Sequence, residues 1–311
     1  MSFLTHGVII QMSNINIATL KVLSLNCNGL YCVSYDRESR MRSIAQYLCS
    51  EKFQIVCLQE VFIARDYQYL SRTVRKCLPF SHWYKNSSLV GSCGLIILSQ
   101  WPLMNVHFYQ FRLQGHPLMF WHGDWFAKKG VAYARIKLKD ASITLNVFNM
   151  HLHANYGYFQ YRLERVCQAY EMARYIETVC GFINDQYNSN NCNKSIILLA
   201  GDMNTMHTEL GYHIVQTRLS LFDCHIICSP KCHCMEPGPS DIDNLITAKI
   251  DYIFVWFFNT NLISTIEVLQ ENGFDSNRKK LSDHFPLAVR MIFNQNQNGK
   301  NIAKWKEVKL N

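Results

Sequence analysis

The sequence predicts an α+β fold in which β-sheets pack on each other and are covered by helices. Three observations point there. Short runs rich in Val, Ile and Leu are separated by turn residues, a few amphipathic stretches lie between them, and the two kinds do not alternate as strict βαβ units would. The first strand is read at 19–26 (TLKVLSLN), followed by a weak helix at 38–50 and a strand at 54–60 (QIVCLQE). A second weak helix fits 65–77 and leads to a strand at 94–99 (GLIILS). Strands follow at 131–138 (VAYARIKL) and 142–151 (SITLNVFNMH). The clearest helix covers 158–180, where Leu163, Val166, Ala169, Tyr170, Ala173, Ile176 and Cys180 recur at three- and four-residue spacing opposite charged residues. The polar stretch 184–195 reads as a surface loop before a strand at 195–202 (SIILLAGD). Residues 229–247 form a second irregular segment, and strands at 249–256, 262–269 and 285–292 complete the set. The expected organisation is an N-terminal extension (1–18), one domain (19–293) and a frayed tail (294–311), with no internal repeat.

Composition narrows the possibilities. A chain of 311 residues that is 49% hydrophobic and 17% charged is too apolar for intrinsic disorder. Its longest apolar runs fall short of the ~20 residues that a membrane-spanning helix needs. The start MSFLTHGVIIQMSN lacks a basic n-region and a small-residue cleavage site, so a non-secreted protein is expected. The 13 cysteines are odd in number and sit mostly in apolar runs, which favours a reducing compartment. A formal charge of +8 suits an anionic partner without choosing among nucleic acid, an acidic membrane face and a phosphorylated substrate.

Polar residues collect where apolar strands run out: LSLNCNG, IVCLQEV, VFNMHLHA, ILLAGDMN, and the pair AKIDYIF and LSDHFP. Each has a mundane reading as a turn residue, a cap or a core histidine. Together they supply the groups that metal-assisted phosphodiester hydrolysis requires. Anionic oxygens repel nucleophiles and the alkoxide is a poor leaving group, and a divalent cation offsets both effects. Hard Mg²⁺ prefers oxygen ligands, so Glu60, with the amide of Asn26 nearby, is the expected anchor. His284 can take a proton from water near neutral pH. Asp202 would position that water and Asn204 would donate to a phosphoryl oxygen. Either Asp202 or His284 can be the base, and Asp283 is expected to help hold the metal or His284. His153 is weighed evenly between a supporting role and packing.

The order N-x-N, Q-E, H-x-H, G-D-x-N, I-D-Y and S-D-H resembles the endonuclease/exonuclease/phosphatase superfamily over residues 19–292. Within it, MHLHANY (150–156), DYQYL (66–70), GSCGLIILSQWPL (91–103) and above all HGDWFAKKGV (122–131) resemble the neutral sphingomyelinases of animals. That resemblance implies a DNase I-like four-layer αββα sandwich of two mixed sheets flanked by helices. It implies Mg²⁺ as cofactor, replaceable by Mn²⁺, and cleavage of sphingomyelin, or a related phosphosphingolipid or lysophospholipid, to ceramide and a phosphorylated headgroup. It further implies that Asp251 orients His284 and that His151 stabilises the pentavalent phosphorus or helps the leaving oxygen. Asp124 and Lys129 would form an ion pair in a mobile loop that turns the lysine toward the centre, whereas Lys128 reads as a solvated charge. Trp125 and Phe126 read equally as membrane-dipping or core aromatics.

Animal enzymes of this type continue into two hydrophobic membrane helices, whereas the sequence ends at KWKEVKLN. Peripheral binding to internal membranes through basic and aromatic residues is therefore expected, on a phospholipid or sphingolipid surface and without nucleic acid. The oligomeric state is left open. Cys224, Cys228, Cys232 and Cys234, with His225 and His233, fit no standard zinc spacing and read as free thiols in a loop. The competing readings are a Mg²⁺-dependent nuclease of the same superfamily and a catalytically silent lipid-binding homologue.

Overall fold

The computed structural model describes residues 19–293 except 31–33, 87–90, 117, 120–121, 139–142, 157–159, 182–194, 226–248, 258–261, 270, 272 and 276–277. The expected extension and tail, most of the polar loop at 184–195, the segment 229–247, and Cys228, Cys232, His233 and Cys234 lie outside the described residues.

Two six-stranded mixed sheets face each other. The first contains β1 (Thr19–Asn26), β2 (Ile55–Gln59), β3 (Phe80–Lys85), β4 (Ser92–Ser99), β11 (Ile263–Leu269) and β12 (Leu287–Phe293), in the order β11-β12-β1-β2-β4-β3. The second contains β5 (Leu103–Gln110), β6 (Gly130–Leu138), β7 (Ile143–His151), β8 (Ser195–Asp202), β9 (Phe222–Asp223) and β10 (Asp251–Phe257), in the order β5-β6-β7-β8-β10-β9. Each sheet has one parallel pair at its centre, β1/β2 and β7/β8, with antiparallel neighbours. A parallel pair needs a crossover, supplied by α1 (Arg37–Ser50) and α4 (Arg162–Cys180). Strands buried on both faces read as continuous apolar runs, which is why these were legible.

Three apolar clusters define the layers. One fills the space between the sheets, with Val22, Ile55, Leu95, Ala134, Val147 and Leu198. A second joins the outer face of the second sheet to α4 and α5 (Leu210–Leu219), and a third joins the first sheet to α1 and α2 (Ala64–Thr73). The result is the expected α/β/β/α sandwich. Two buried amides also bridge the layers: Gln59 Nε2 donates to Asn149 Oδ1 at 2.7 Å, and Asn149 Nδ2 donates to the carbonyls of Leu58 and Ile96 at 2.9 Å each.

The structure adds elements the sequence pattern missed. β3, β5 and β9 are sheet edges. The first two, FSHWYK and LMNVHFYQ, are half-buried or exposed except at Tyr84 and carry little apolar alternation, and β5 pairs irregularly next to Asn105, whose φ is +52°. α5 follows the G-D-x-N loop without a clear helical stripe, and α3 (Asp124–Ala127) is a single turn inside the expected mobile loop. The buried face of α4 is also rotated from the expected one. Leu163 and Tyr170 are 69% and 49% exposed, whereas Arg165, Gln168, Ala169, Met172, Ala173 and Ile176 are buried. Three polar or charged residues, Arg165, Gln168 and Glu177, are buried on the helix, and its inner face turns toward Arg165 and Gln168 while keeping the expected Ala169, Ala173 and Ile176.

Candidate active site

The two parallel pairs end on the same side of the sandwich. Asn26 closes β1 opposite Gln59, and Glu60 follows β2 directly. His151 closes β7 opposite Asp202, the last residue of β8, and Asp251 opens antiparallel β10 opposite the same Asp202. His284 lies in the turn before β12, which runs antiparallel to β1. Six segments far apart in sequence thus deliver polar side chains to one spot, because parallel neighbours share a carboxyl end and antiparallel neighbours start there.

Backbone strain gathers here. Asn28, Glu60 and Asn204 have φ of +47°, +59° and +49°, a region non-glycine residues visit at some cost. A Cβ on Gly29 would stand 2.1 Å from the Glu60 carbonyl, so the NCNG turn can pack on Glu60 only with glycine there.

Asp202 is the focus. It is 1% exposed and accepts Asn26 Nδ2 at 3.0 Å and the Asn204 backbone N–H at 2.8 Å. His151 Nε2 stands 3.5 Å and His284 Nε2 3.9 Å from its Oδ2. Asn26 Nδ2 also donates to Glu60 Oε1 at 3.0 Å, and His151 Nε2 is 3.8 Å from the same oxygen. His284 Nδ1 meets Asp251 Oδ2 at 2.6 Å. Asn204 points its amide to the Leu152 carbonyl at 3.0 Å. Asp283 stands exposed at the rim, accepting the Ser282 hydroxyl at 3.1 Å, with its charge felt by both Glu60 and His284.

The electrostatics follow from burial and pairing. Burial, then the charge of Asp251, pushes Asp202 up to about 7. Burial works against a charged His284 ring, but the adjoining Asp251 and then Asp202 overcome it and raise the ring to about 10. His284 therefore differs from the near-neutral imidazole the sequence suggested: with two carboxylates beside it, it holds its proton. Burial, helped by the charges of Lys129 and His284, keeps His151 well below the usual imidazole range. Burial raises Glu60, opposed by Lys129 and the Asn26 amide.

Lys129 is 2% exposed, with Nζ 2.8 Å from Asp124 Oδ1 and donating to the Leu152 carbonyl at 2.9 Å. Asp124 Oδ2 accepts the Ala154 N–H at 2.7 Å and lies 3.0 Å from His153 Nδ1. The loop pair is thus formed and tied to the H-x-H segment, with His153 beside it in the supporting position. Lys128 stands over the Trp125 ring at 4.3 Å, and Trp125 and Phe126 are half-buried edge to face.

Sequence reading overlooked Gln114, whose amide holds the Lys129 and Phe111 carbonyls at 2.8 and 2.6 Å, and Gln168, which accepts the His153 N–H at 2.9 Å. Neither lies in a motif. Gln168 falls off the apolar stripe that the periodicity of α4 predicts, so the pattern carried no signal for it.

The donor set fits a hard divalent cation. Half-buried Glu60 and buried Asp202 share one amide, and both ring nitrogens of buried His151 lack a hydrogen-bond partner among the described residues. Asp202, Asp251 and His284 form a second grouping, with ligand atoms within 4.8 Å of one another. Either grouping could hold such a cation.

An αββα sandwich with carboxylates, amides and histidines converging at one end is the architecture of the endonuclease/exonuclease/phosphatase class. The chain belongs to the Endonuclease/Exonuclease/phosphatase family, whose model matches residues 23–284. Among individual proteins it is similar to sphingomyelin phosphodiesterase 2 of Mus musculus, 32% identical over 209 residues, 67% of this chain and 46% of the mouse protein. It is also similar to the inositol phosphosphingolipids phospholipase C of Schizosaccharomyces pombe, 26% identical over 266 residues, 76% of this chain and 59% of that one. The matched region thus spans less than half of the mouse protein and under two thirds of the yeast one. In fold it matches a mutant Staphylococcus aureus beta toxin crystallised with bound magnesium ions, with TM-score 0.62 and 17% identity over 87% of this chain and 98% of that one.

Proposed function

We propose that this protein is a Mg²⁺-dependent phospholipase C acting on phosphosphingolipids, cleaving sphingomyelin to ceramide and phosphocholine at the surface of internal membranes. The observation that carries the reading is the convergence on Asp202 of Asn26, Asn204, His151 and the His284–Asp251 pair. The relatives add the substrate class: one is named for sphingomyelin and the other for inositol phosphosphingolipids, and a ceramide phosphodiester is common to both.

Glu60 and Asn26, with Asp283 at the rim, would hold the cation. When bound, it neutralises phosphoryl charge and stabilises the leaving oxygen. The other roles belong to side chains. Asp202, held at about 7, is suited to take a proton from the attacking water, and Asp251 keeps the His284 imidazolium aimed at the same point. Asp202 takes that proton, and the protonated His284 beside it balances the carboxylate charge before the transfer, so the two act as a coupled pair. His151 faces the phosphoryl oxygens, Asn204 donates to one of them after releasing the Leu152 carbonyl, and Lys129, positioned by Asp124, adds positive charge to the transition state.

The test offers purified protein sphingomyelin vesicles, inositol phosphosphingolipid vesicles and an abasic DNA duplex, each with Mg²⁺ and with EDTA. Headgroup phosphate release that EDTA abolishes is the expected result. DNA nicking alone would replace the reading with a nuclease, and binding without turnover would replace it with a silent homologue.

A further inference from the structure

The two crossover units correspond residue by residue at the start of their helices. In each unit the residue before the helix, Asp36 or Tyr161, is left-handed, with φ of +50° or +44°. Each helix opens on an arginine, Arg37 or Arg162, that pairs with a carboxylate at the beginning of the next helix: Arg37 with Asp66 of α2, and Arg162 with Glu209 before α5, 3.5 Å away. Each carries a second arginine three residues further on, Arg40 or Arg165. The repeat is invisible in the sequence because the strands and loops around these positions differ.

The second arginines reach the loops at the site end of their own sheets. Arg40 donates from Nη1 to the Cys27 carbonyl at 2.7 Å, from Nη2 to the Asn28 carbonyl at 2.6 Å and from Nη1 to the Leu281 carbonyl at 3.3 Å. One guanidinium therefore ties the turn after Asn26 to the turn that carries Asp283 and His284. Arg165, 1% exposed, donates from Nη1 to Asn155 Oδ1 and the Gln160 carbonyl at 2.6 Å each, and from Nη2 to Glu209 Oε1 at 3.3 Å. Glu209 in turn accepts the Met206 N–H at 2.7 Å, so this guanidinium ties the loop after His151 to the loop after Asp202 and Asn204.

We propose that Arg40 and Arg165 are equivalent positioning residues, Arg40 bracing the half of the centre that holds the cation and Arg165 the half that handles water and phosphoryl oxygens. The assignment rests on the functional reading above. A planar fork of five donors can join two loops at fixed spacing, whereas a lysine ammonium offers a point. Neither arginine touches the reacting atoms. Each acts through the backbone of loops whose misplacement by an ångström is costly to turnover.

The test compares Arg40→Met and Arg165→Met with their lysine counterparts and with two packing controls on the same helices, Ile44→Ala and Met172→Ala, both fully buried. Mg²⁺ affinity is read by calorimetry without lipid, and kcat at saturating Mg²⁺ on sphingomyelin vesicles. Amide exchange is followed over 151–156 and 202–206, and Tm is recorded for every variant. Arg40→Met is expected to weaken Mg²⁺ binding about tenfold to a hundredfold, the effect typical of groups that orient metal ligands, with a smaller loss of Tm than Ile44→Ala shows. Arg165→Met is expected to lower kcat about a hundredfold and raise exchange in the two loops, with Mg²⁺ affinity unchanged. The lysine variants should recover part of each loss at the same Tm. If both methionine variants lose affinity and kcat together, in proportion to Tm as the controls do, the arginines only support the fold and the proposal fails. If the wild-type chain binds Mg²⁺ but cleaves no lipid, the functional reading falls while calorimetry and amide exchange still decide the two braces. A wild-type chain that binds no Mg²⁺ overturns both.

Discussion

His284 and Asp202 compete for one proton, and the competition sets the expected pH behaviour of the metal-free protein. His284 is raised from 6.5 to about 10, so the stability it contributes is fully present below 6.5 and is lost as pH rises through 10. Asp202 is raised from 3.8 to about 7, so its contribution is likewise lost on the alkaline side, through 7. Both act in one direction, and thermal melts in EDTA should show Tm falling from pH 6.5 to 10. His284→Gln should already be destabilised at pH 7, since Asp202 and Asp251 lose their counter-charge, and should converge on the wild type above pH 10. A wild-type Tm that stays flat over this range would refute the shared-proton site. The same variant should lose turnover by about 10²–10⁴, the range of general acid–base contributions, as measured by headgroup phosphate release at saturating Mg²⁺.

At the scale of elements, α4 offers the sharpest contrast. Leu163 is 69% exposed, so Leu163→Ser should change unfolding free energy by less than about 0.5 kcal/mol. Met172 is fully buried against the second sheet, so Met172→Ala should cost about 2–5 kcal/mol in denaturant melts. The periodicity of 158–180 was legible but its phase was only partly so, because Arg165 and Gln168 hold inner-face positions for their hydrogen bonds to the segment after His151 rather than for burial of apolar area. The loop at Gly115 behaves similarly. With φ of +80° and a would-be Cβ 2.3 Å from His153 Nε2, Gly115→Ala must push that ring from its place beside Asp124. Its expected outcome is a destabilisation of about 1–3 kcal/mol, with a fall in kcat larger than Met172→Ala produces, checked by parallel melts and turnover.

For the whole molecule, the central strands and the layers were readable because burial on both faces writes an unbroken apolar run, as in SIILLAGD. Edges were not, because FSHWYK and LMNVHFYQ answer to one neighbour and to water. The residues that meet at one end of the sandwich were legible, since Asn26, His151, Asp202 and Asp251 end or begin strands and Glu60 and His284 lie just beyond them. The groups that hold it in shape were not, since Gln114, Asn149 and Gln168 act through contacts between distant segments that no local pattern announces. Mg²⁺ should raise the Tm of the wild type, by an amount equivalent to roughly 2.7 kcal/mol at a hundredfold excess over Kd. Glu60→Gln should abolish that response while retaining the Asn26 contact, as thermal melts with and without the ion would reveal.

The amide pair Gln59–Asn149 has a mechanical meaning. The groups that converge at the centre ride on different layers, Asn26, Glu60 and His284 with the first sheet and His151, Asp202 and Asp251 with the second, so the centre exists only while those layers keep their relative phase, and that pair is the peg between them behind the centre. Sliding of one layer over the other would silence catalysis before any strand unravels. Low denaturant or moderate pressure should therefore extinguish turnover at a point where circular dichroism still registers an intact sandwich.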